Sequence, residues 1–238
     1  MSNLYIVATP IGNLQDITLR AARTLLASEI IVAESASKAG LLLAYLEREF
    51  NIKRHTTQKM ISLTEDEEEN KIPTIIKSLE HTDVSLISEA GTPLVSDPGF
   101  KLVREAVKRG IKVIPIPGAS SPIAAISSSG LPTDKFLFLG FLPKSDGKKK
   151  AELERLKTKI IDKQFSPTII FFESPARIVE TLNTLLEVFG DIPLVIAREI
   201  TKMHEEIVTR KISELLALYN QKVPKGEITV LFSTKLNN

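Results

Sequence analysis

Short apolar runs alternate with amphipathic segments along the chain. Four runs in the first half are short enough to be buried strands, at residues 4–8, 30–33, 84–87 and 112–116. Between them, segments 16–26 and 70–79 repeat apolar residues at three- and four-residue spacing, which predicts helices, the first with Asp16 as its N-cap. This alternation indicates an α/β fold with mainly parallel strand pairing in the first half.

The second half carries a different pattern. A periodic helix is predicted to open at Ser174 and Pro175 and to close at Gly190. Strands are predicted at 136–139, 168–172, 194–197, 206–209 and 228–232. Because several of these strands follow one another, we expect a mixed sheet. Two prolines interrupt the pattern at 115 and 117, so the predicted domains are 1–117 and 118–238.

Composition narrows the range of functions. The 238-residue chain is 43% hydrophobic and 25% charged, which is ordinary for a globular protein. It has no cysteine, so disulfide and thiolate chemistry are excluded, and its three histidines lack metal-ligand spacing, so we expect no metal. No signal peptide or membrane span is visible, and we therefore expect a cytoplasmic protein without membrane contact.

Two charged segments stand out against a net charge of only +2. Residues 65–69 form an acidic run, interpreted as a solvated surface segment. Lysines and arginines crowd residues 144–163, and the neighbouring glycines favour a mobile, lid-like loop. This basic segment is either a solvated face or a contact for a phosphate backbone. The candidate RNA-binding residues are Lys148, Lys149 and Lys150.

Three loops share a strand end, small or polar residues and a helix start: 9–14, 88–99 and 117–122. In the second loop, Asp97 is the predicted N-cap of the following helix, with Pro98 in its first turn. No loop has the glycine spacing of a dinucleotide or nucleoside triphosphate site. Taken singly, each could be a structural turn; together they favour a ligand that carries adenosine without phosphates.

Six segments, in order along nearly the whole chain, carry a family resemblance: LYIVATPIGNLQDIT (4–18), SEAGTPLVSDPG (88–99), PIPGASS (115–121), SGLPTDKF (129–136), FESPAR (172–177) and AREITKMHEE (197–206). Together they resemble the bacterial 16S ribosomal RNA ribose 2′-O-methyltransferases of the tetrapyrrole methylase superfamily. The resemblance implies two α/β domains of the class III methyltransferase type, with S-adenosyl-L-methionine (SAM) in a cleft between them. It further implies a homodimer that methylates a cytidine in the decoding region of the small ribosomal subunit.

The resemblance also assigns residues. Those placed near SAM are Ile11, Thr92, Val95, Ser120, Ser121, Phe172, Ala197, Arg198 and Gly226. The hydroxyls suit hydrogen bonds to ribose or carboxylate, and the aromatic ring offers an apolar face to adenine. Since a ribose hydroxyl is a poor nucleophile, a carboxylate base is also expected. Glu89, Glu173, Glu199 and Asp97 lie beside the matched loops and are candidates, although a helix cap is the favoured interpretation of Asp97.

The chain departs from the family pattern in its first domain. Residues 35–38 read Ser-Ala-Ser-Lys where the family usually has Asp-Thr-Arg-His, and residues 63–68 lack the usual histidine and asparagine. Glu89 replaces the usual aspartate. Fewer cations and more acids weaken phosphate contacts, so two alternatives stay open. These are a methyltransferase for a tetrapyrrole or another small molecule, and a SAM-binding module without turnover.

Overall fold

The computed structural model describes residues 2–163 and 166–234 of the chain. The chain divides into two compact units, Met1–Ser120 and Ser121–Asn238. Within the described ranges, no helix is both long enough and apolar enough to cross a membrane.

The first unit is built on five strands: β1 (Asn3–Val7), β2 (Ile30–Ala33), β3 (Lys59–Ser62), β4 (Val84–Ile87) and β5 (Lys112–Ile116). All pairs are parallel, in the spatial order β3-β2-β4-β1-β5. Four helices connect them: α1 (Leu19–Ala27), α2 (Ala36–Phe50), α3 (Glu68–Ser78) and α4 (Phe100–Lys108). The predicted parallel sheet is confirmed.

Both faces of this sheet are covered. Residues of α1 and α2 form one apolar cluster with the sheet, and residues of α3 and α4 form another. Every residue of β2 and β4 is consequently buried, which explains why these strands read as continuous apolar runs in the sequence. The result is a three-layer α/β unit.

The order of the strands fixes where a ligand site is expected in this unit. From β1 the chain moves to β2 and then to the edge strand β3; from β4 it crosses past β1 to β5 on the other side. The neighbours β1 and β4 therefore send their connections in opposite directions. Open α/β sheets bind ligands beyond the carboxyl ends of the strands at such a switch point.

The second unit has a mixed sheet, as predicted. Its strands are β6 (Phe136–Phe141), β7 (Thr168–Glu173), β8 (Pro193–Arg198), β9 (Glu206–Lys211) and β10 (Ile228–Ser233), in the order β6-β7-β10-β8-β9. Among the described strands of this second unit, β6 and β7 form the one parallel pair, and the other pairs are antiparallel. The helices are α5 (Ser121–Ser128), α6 (Asp146–Lys163), α7 (Ile178–Phe189) and α8 (Ile212–Gln221).

Several predicted helix starts were wrong. Helix α1 is capped by Thr18, whose hydroxyl accepts the Ala21 amide at 3.1 Å, and Asp16 belongs to the short 3₁₀ turn before it. Helix α4 begins at Phe100 after Gly99, so neither Asp97 nor Pro98 starts it. Helix α7 follows a turn over residues 174–177.

Two elements of the first unit, α2 and β3, were not predicted. The largest error concerns residues 144–163. The lid-like loop is wrong, because α6 occupies most of that segment and Leu153 lies in the core cluster that α7 and α8 also line.

Candidate functional site

The loops that follow β1, β4 and β5 meet at the switch point of the first unit. Thr9 and Gly91 form an isolated bridge, in which the Thr9 amide donates to the Gly91 carbonyl at 2.9 Å and the Gly91 amide donates back at 3.1 Å. The Thr92 hydroxyl donates to the Ala119 carbonyl at 3.0 Å. Three loops that are far apart in the sequence are therefore joined by hydrogen bonds, two between backbone groups and one from the Thr92 side chain.

Small residues are required where these loops approach one another. Gly91 has a φ of +82°, and a Cβ there would lie 3.1 Å from Cγ2 of Ile11. A Cβ at Gly118 would lie 3.0 Å from Cβ of Ala8. The structure thus brings Ile11 and Thr92 to one place, with Ser120 in the third loop directly after Ala119. Thr92 and Ser120 remain partly exposed.

Loop 88–99 has a strained backbone, and a residue of α3 hydrogen-bonds to its end. Leu94 and Ser96 have φ angles of +73° and +69°, in the left-handed region that side chains rarely adopt. At the end of the loop, the Gly99 amide donates to Oε1 of Glu68 at 2.8 Å. Glu68 is 4% exposed and also lies 3.3 Å from Nζ of Lys101. The acidic run was interpreted as a solvated surface segment, and this interpretation is wrong for Glu68. The Glu68 side chain is buried and fixes loop 88–99 to α3.

Asp97 lies in this loop as a half-buried carboxyl, and it caps no helix. Burial raises the pKa of Asp97 to about 6, a hydrogen bond with Ser88 opposes the rise, and the charges of Glu34 and Glu89 add to it. The pKa of Glu34, at the end of β2, is also raised, first by burial and then by the Glu89 charge, with Lys38 opposing. Three carboxyls thus converge at the carboxyl end of the sheet, and the pKa of two of them, Asp97 and Glu34, is raised.

Two of the three departures from the family pattern, at Lys38 and Glu89, contact each other. Glu89 forms an ion pair with Lys38, whose Nζ donates to Oε2 of Glu89. Lys38 lies in the first turn of α2, where Ser35 is the N-cap. Both charged side chains are well exposed, at 62% for Lys38 and 36% for Glu89.

In the second unit, three neighbouring strands bring predicted residues to one edge of the sheet. Thr229 on β10 pairs with Phe172 on β7 and with Ala197 on β8, so these residues lie side by side across the sheet. The partly exposed ring of Phe172 contacts Phe138 at 4.9 Å between centroids and Phe141 at 5.4 Å. An aromatic surface therefore lies beside the end of β7.

Glu199 and Gly226 lie at the same edge and fit against each other. Glu199 has a φ of +51°, and its Oε1 accepts the Glu227 amide at 3.0 Å and the Lys202 ammonium at 2.9 Å. The Glu227 amide, followed by the Lys202 ammonium, lowers the pKa of Glu199. A Cβ at Gly226, where φ is +92°, would overlap the Glu199 carboxylate. The adjacent Arg198 donates to Oε2 of Glu206 and to the Lys225 carbonyl, both at 3.0 Å.

Glu173 is enclosed at the end of β7. Its Oε1 accepts the Ser174 amide at 2.8 Å, its Oε2 accepts the Thr181 hydroxyl at 2.6 Å, and Nε of Arg177 lies 3.4 Å from Oε1. Since the side chain is fully buried, these contacts hold the turn between β7 and α7. Glu173 and Glu199 therefore use their carboxylates in loop structure.

The candidate RNA-binding lysines lie on α6, in different environments. Lys149 is fully buried and forms ion pairs with Glu180 and, at 3.2 Å, with Asp146. Lys150 pairs with Glu187, whereas Lys148 is exposed. Contact of Lys149 with a phosphate would require its buried ion pairs to break.

Sequence reasoning missed two residues, Glu68 inside a charge run and Thr229 inside an apolar strand. For Asp97 it favoured a helix cap over a base, and the cap was wrong. The signal for a role other than a cap was the position of Asp97 in a loop after a strand, where open α/β sheets bind ligands. Among the described residues, no group of three or more His, Cys, Asp or Glu side chains is arranged to hold a metal ion.

The family model for tetrapyrrole (corrin/porphyrin) methylases matches residues 3–216. Proteins named ribosomal RNA small subunit methyltransferase I are similar over nearly the whole chain. The one from Mesorhizobium japonicum is 46% identical and covers 95% of this chain and 74% of its own. The one from Thermotoga maritima is 40% identical and covers 99% of this chain and 100% of its own.

Solved structures have the same fold at much lower identity. Uroporphyrin-III C-methyl transferase from Thermus thermophilus, complexed with S-adenosylhomocysteine, has a TM-score of 0.64 at 20% identity and covers 97% of both chains. A cobalt precorrin-4 methyltransferase has a TM-score of 0.66 at 17% identity and covers 96% of this chain and 94% of its own.

Proposed function

The chain belongs to the tetrapyrrole methylase family of SAM-dependent methyltransferases, and we propose that it methylates the 2′-hydroxyl of a cytidine ribose in the decoding region of 16S ribosomal RNA. The observation that carries this proposal is the similarity to ribosomal RNA small subunit methyltransferase I, at 40% identity over 99% of the chain in one relative. Because the similarity extends over nearly the full length, it includes both units. It therefore includes the loops after β1, β4 and β5 and those after β7 and β8.

The residues at the two strand edges fit SAM. When bound, SAM supplies an activated methyl group and a neutral thioether leaving group, so the protein has to align the acceptor oxygen and exclude water. In the first unit we propose that the Thr92 hydroxyl, which donates to the Ala119 carbonyl, accepts a hydrogen bond from the cofactor. The Ser120 hydroxyl donates a hydrogen bond to the cofactor, while Ile11 and Val95 supply apolar contact. The close backbone approach at Gly91 supports this assignment.

In the second unit we propose that Phe172 contacts the adenine ring and that Ala197 allows close approach beside it. The aromatic neighbours of Phe172 and its place at a strand end support this role. Ser121, Arg198 and Gly226 complete the proposed set. Replacing Thr92 with Val and Phe172 with Ala should each weaken SAM binding by about 10-fold in calorimetry. The matched control, Thr158→Val on α6, should bind SAM normally.

For the base, we propose Asp97 with Glu89 beside it. A base must be free to accept the 2′-hydroxyl proton while the oxygen forms its bond to the methyl carbon and the carbon–sulfur bond breaks. Glu173 and Glu199 already accept two hydrogen bonds each, whereas Asp97 is raised in pKa to about 6, close to the range where a base works well. Asp97→Asn should lower kcat by about 100-fold with SAM affinity retained.

Two further assignments rest on the family resemblance. We propose that the protein is a homodimer and that it acts in the cytoplasm, where assembled small subunits are found. Light scattering of the purified protein tests the first assignment, with twice the 26.3 kDa chain mass as the expected result.

Methyl transfer from labelled SAM to small subunits tests the function. Subunits from a strain lacking the gene should take up label, and subunits in which the acceptor carries a 2′-deoxyribose should not. If tetrapyrroles take up label and small subunits do not, the small-molecule alternative replaces this proposal. Tight SAM binding without transfer to either pool would instead identify a binding module.

A further inference from the structure

Helix α4 exposes apolar side chains on one face, directly after loop 88–99. Phe100 is 63% exposed and Val107 is 60% exposed, although Leu102 and Ala106 on the opposite face are fully buried. Phe100, Arg104, Val107 and Lys108 follow the spacing of a single helix face, and we name these four residues the α4 face. A solvent-exposed phenylalanine at this position contributes little to the core.

The aromatic ring and a cation on the α4 face are already stacked. Cζ of Arg104 lies 5.5 Å from the centroid of the Phe100 ring. This distance is within the range of a cation–π contact, so the guanidinium and the ring lie together on the exposed face of the helix. Unpaired bases of RNA stack on aromatic rings and on arginine guanidinium groups.

The charge of the helix complements RNA. Among the described residues, neither Arg104 nor Lys108 lies within 4.0 Å of an acidic group, whereas Lys101 is near Glu68 and Arg109 pairs with Glu105. On α6, by contrast, Lys149 and Lys150 are both paired with acids. The cations of the α4 face are therefore available to phosphates, whereas Lys149 would have to leave its buried position first.

We propose that the α4 face binds the single-stranded RNA next to the acceptor nucleotide, with an unpaired base on Phe100 and Arg104 and a phosphate at Lys108. This inference rests on the proposed function, because it assigns the RNA contact of that same reaction. Helix α4 begins directly after loop 88–99, so Phe100 follows Asp97 by three residues and belongs to the same unit. A docked protein would be expected to need a larger apolar area with fewer free cations.

Phe100→Ala and Arg104→Ala test the proposal in two assays. Each should raise KM for the small subunit by about 10-fold, with a smaller effect on kcat and with SAM affinity unchanged. Each should also weaken binding of a fluorescent, cytidine-containing single-stranded RNA by a similar factor. Phe100→Tyr should restore binding because it keeps the ring. Lys108→Gln should reduce the salt dependence of RNA binding by about one unit of slope.

Leu41→Ala is the matched apolar control, since Leu41 is 75% exposed on α2, and Arg210→Gln, at an exposed position on β9, is the charge control. Unchanged RNA affinity in Phe100→Ala and Arg104→Ala would overturn the inference even if the wild type methylates small subunits. Failure of the wild type to methylate any ribosomal RNA would overturn the proposed function, and the RNA-binding assay would still decide on the α4 face. Dissociation of a dimer by Phe100→Ala would identify a contact between two copies and also overturn the inference.

Discussion

The carboxylates at the strand ends of the two units differ in how they are used. In the second unit, Glu173 and Glu199 each accept two hydrogen bonds and lie beside a cation. In the first unit, Asp97 and Glu34 are partly desolvated and lie near the Glu89 charge, and the pKa of each is raised. Carboxylates of the first kind shape loops, whereas those of the second kind hold a proton more tightly than usual, and Asp97 takes one up near pH 6.

The largest effect is expected for Glu173→Ala. The substitution removes two acceptors and leaves Arg177 without its nearby carboxylate, while Nε of Arg177 already has no hydrogen-bond partner in the described residues. Uncompensated buried charge is costly, so the free energy of unfolding should fall by about 3–5 kcal/mol in urea titrations. The exposed Glu154→Ala is the control and should change stability little. Equal stability of both variants would contradict the structural role of Glu173.

A smaller loss is expected for Gly226→Ala, at about 2 kcal/mol, because the new Cβ would overlap the Glu199 carboxylate at a φ of +92°. A double-mutant cycle separates the overlap with Glu199 from the backbone strain at Gly226. In a Glu199→Ala background, the same substitution should lose only the part due to backbone strain. Additive losses would show that Gly226 and Glu199 act independently.

Asp97→Asn should change the pH dependence of stability. The folded pKa of Asp97 is about 6, above its ordinary value of 3.8, so the folded state holds the proton more tightly and this group destabilises the fold as pH rises from about 4 to 6. Between pH 4 and pH 7, the free energy of unfolding of the variant should therefore rise by about 1–2 kcal/mol relative to that of the wild type. Urea unfolding of both proteins across this pH range measures the difference in the free energy of unfolding. A difference that does not change with pH would show that the pKa of Asp97 is not raised in the folded state.

Methyl transfer should show the opposite trend with pH in the wild type. A base must be ionised, so kcat should fall as pH drops below about 6. The pH profile of Glu199→Gln should keep this inflection, since the pKa of Glu199 is lowered.

The smallest effect is expected for the exposed ion pair. Glu89→Gln breaks the contact with Lys38, but exposed pairs contribute little, so stability should change by less than about 1 kcal/mol. The informative readout is the pKa of Asp97, measured by NMR, which should fall because the Glu89 charge contributes to its rise. An unchanged pKa would separate Glu89 from the carboxyl cluster.

Much of the fold could be predicted from the sequence. Strands β2, β4 and β5 were predicted at their observed bounds, because buried parallel strands are short continuous apolar runs between turn residues. Helix starts were less predictable. Asp97 followed by Pro98 has the form of a cap, but Glu68 from another helix holds the Gly99 amide, and α4 begins later. Such a long-range contact has no local signal.

The site was predicted in part for a similar reason. The three loops of the first unit could be grouped because they all follow parallel strands, which end at one edge of a sheet. The state of each charged side chain depended on contacts far away in the sequence. Lys149 is buried by Glu180 of α7, and Lys38 reaches Glu89 from α2, so neither charge could be assigned to a solvated surface or to a ligand from composition alone.

Mapping of ribose methylation across 16S ribosomal RNA tests directly whether this RNA is the substrate. RNA from strains with and without the gene would be compared by alkaline hydrolysis and sequencing, with the Asp97→Asn variant reintroduced as a third strain. We expect one cytidine in the decoding region to lose its 2′-O-methyl group without the gene and to remain unmethylated with Asp97→Asn. Identical methylation maps in the strains with and without the gene would contradict the assignment of ribosomal RNA as the substrate.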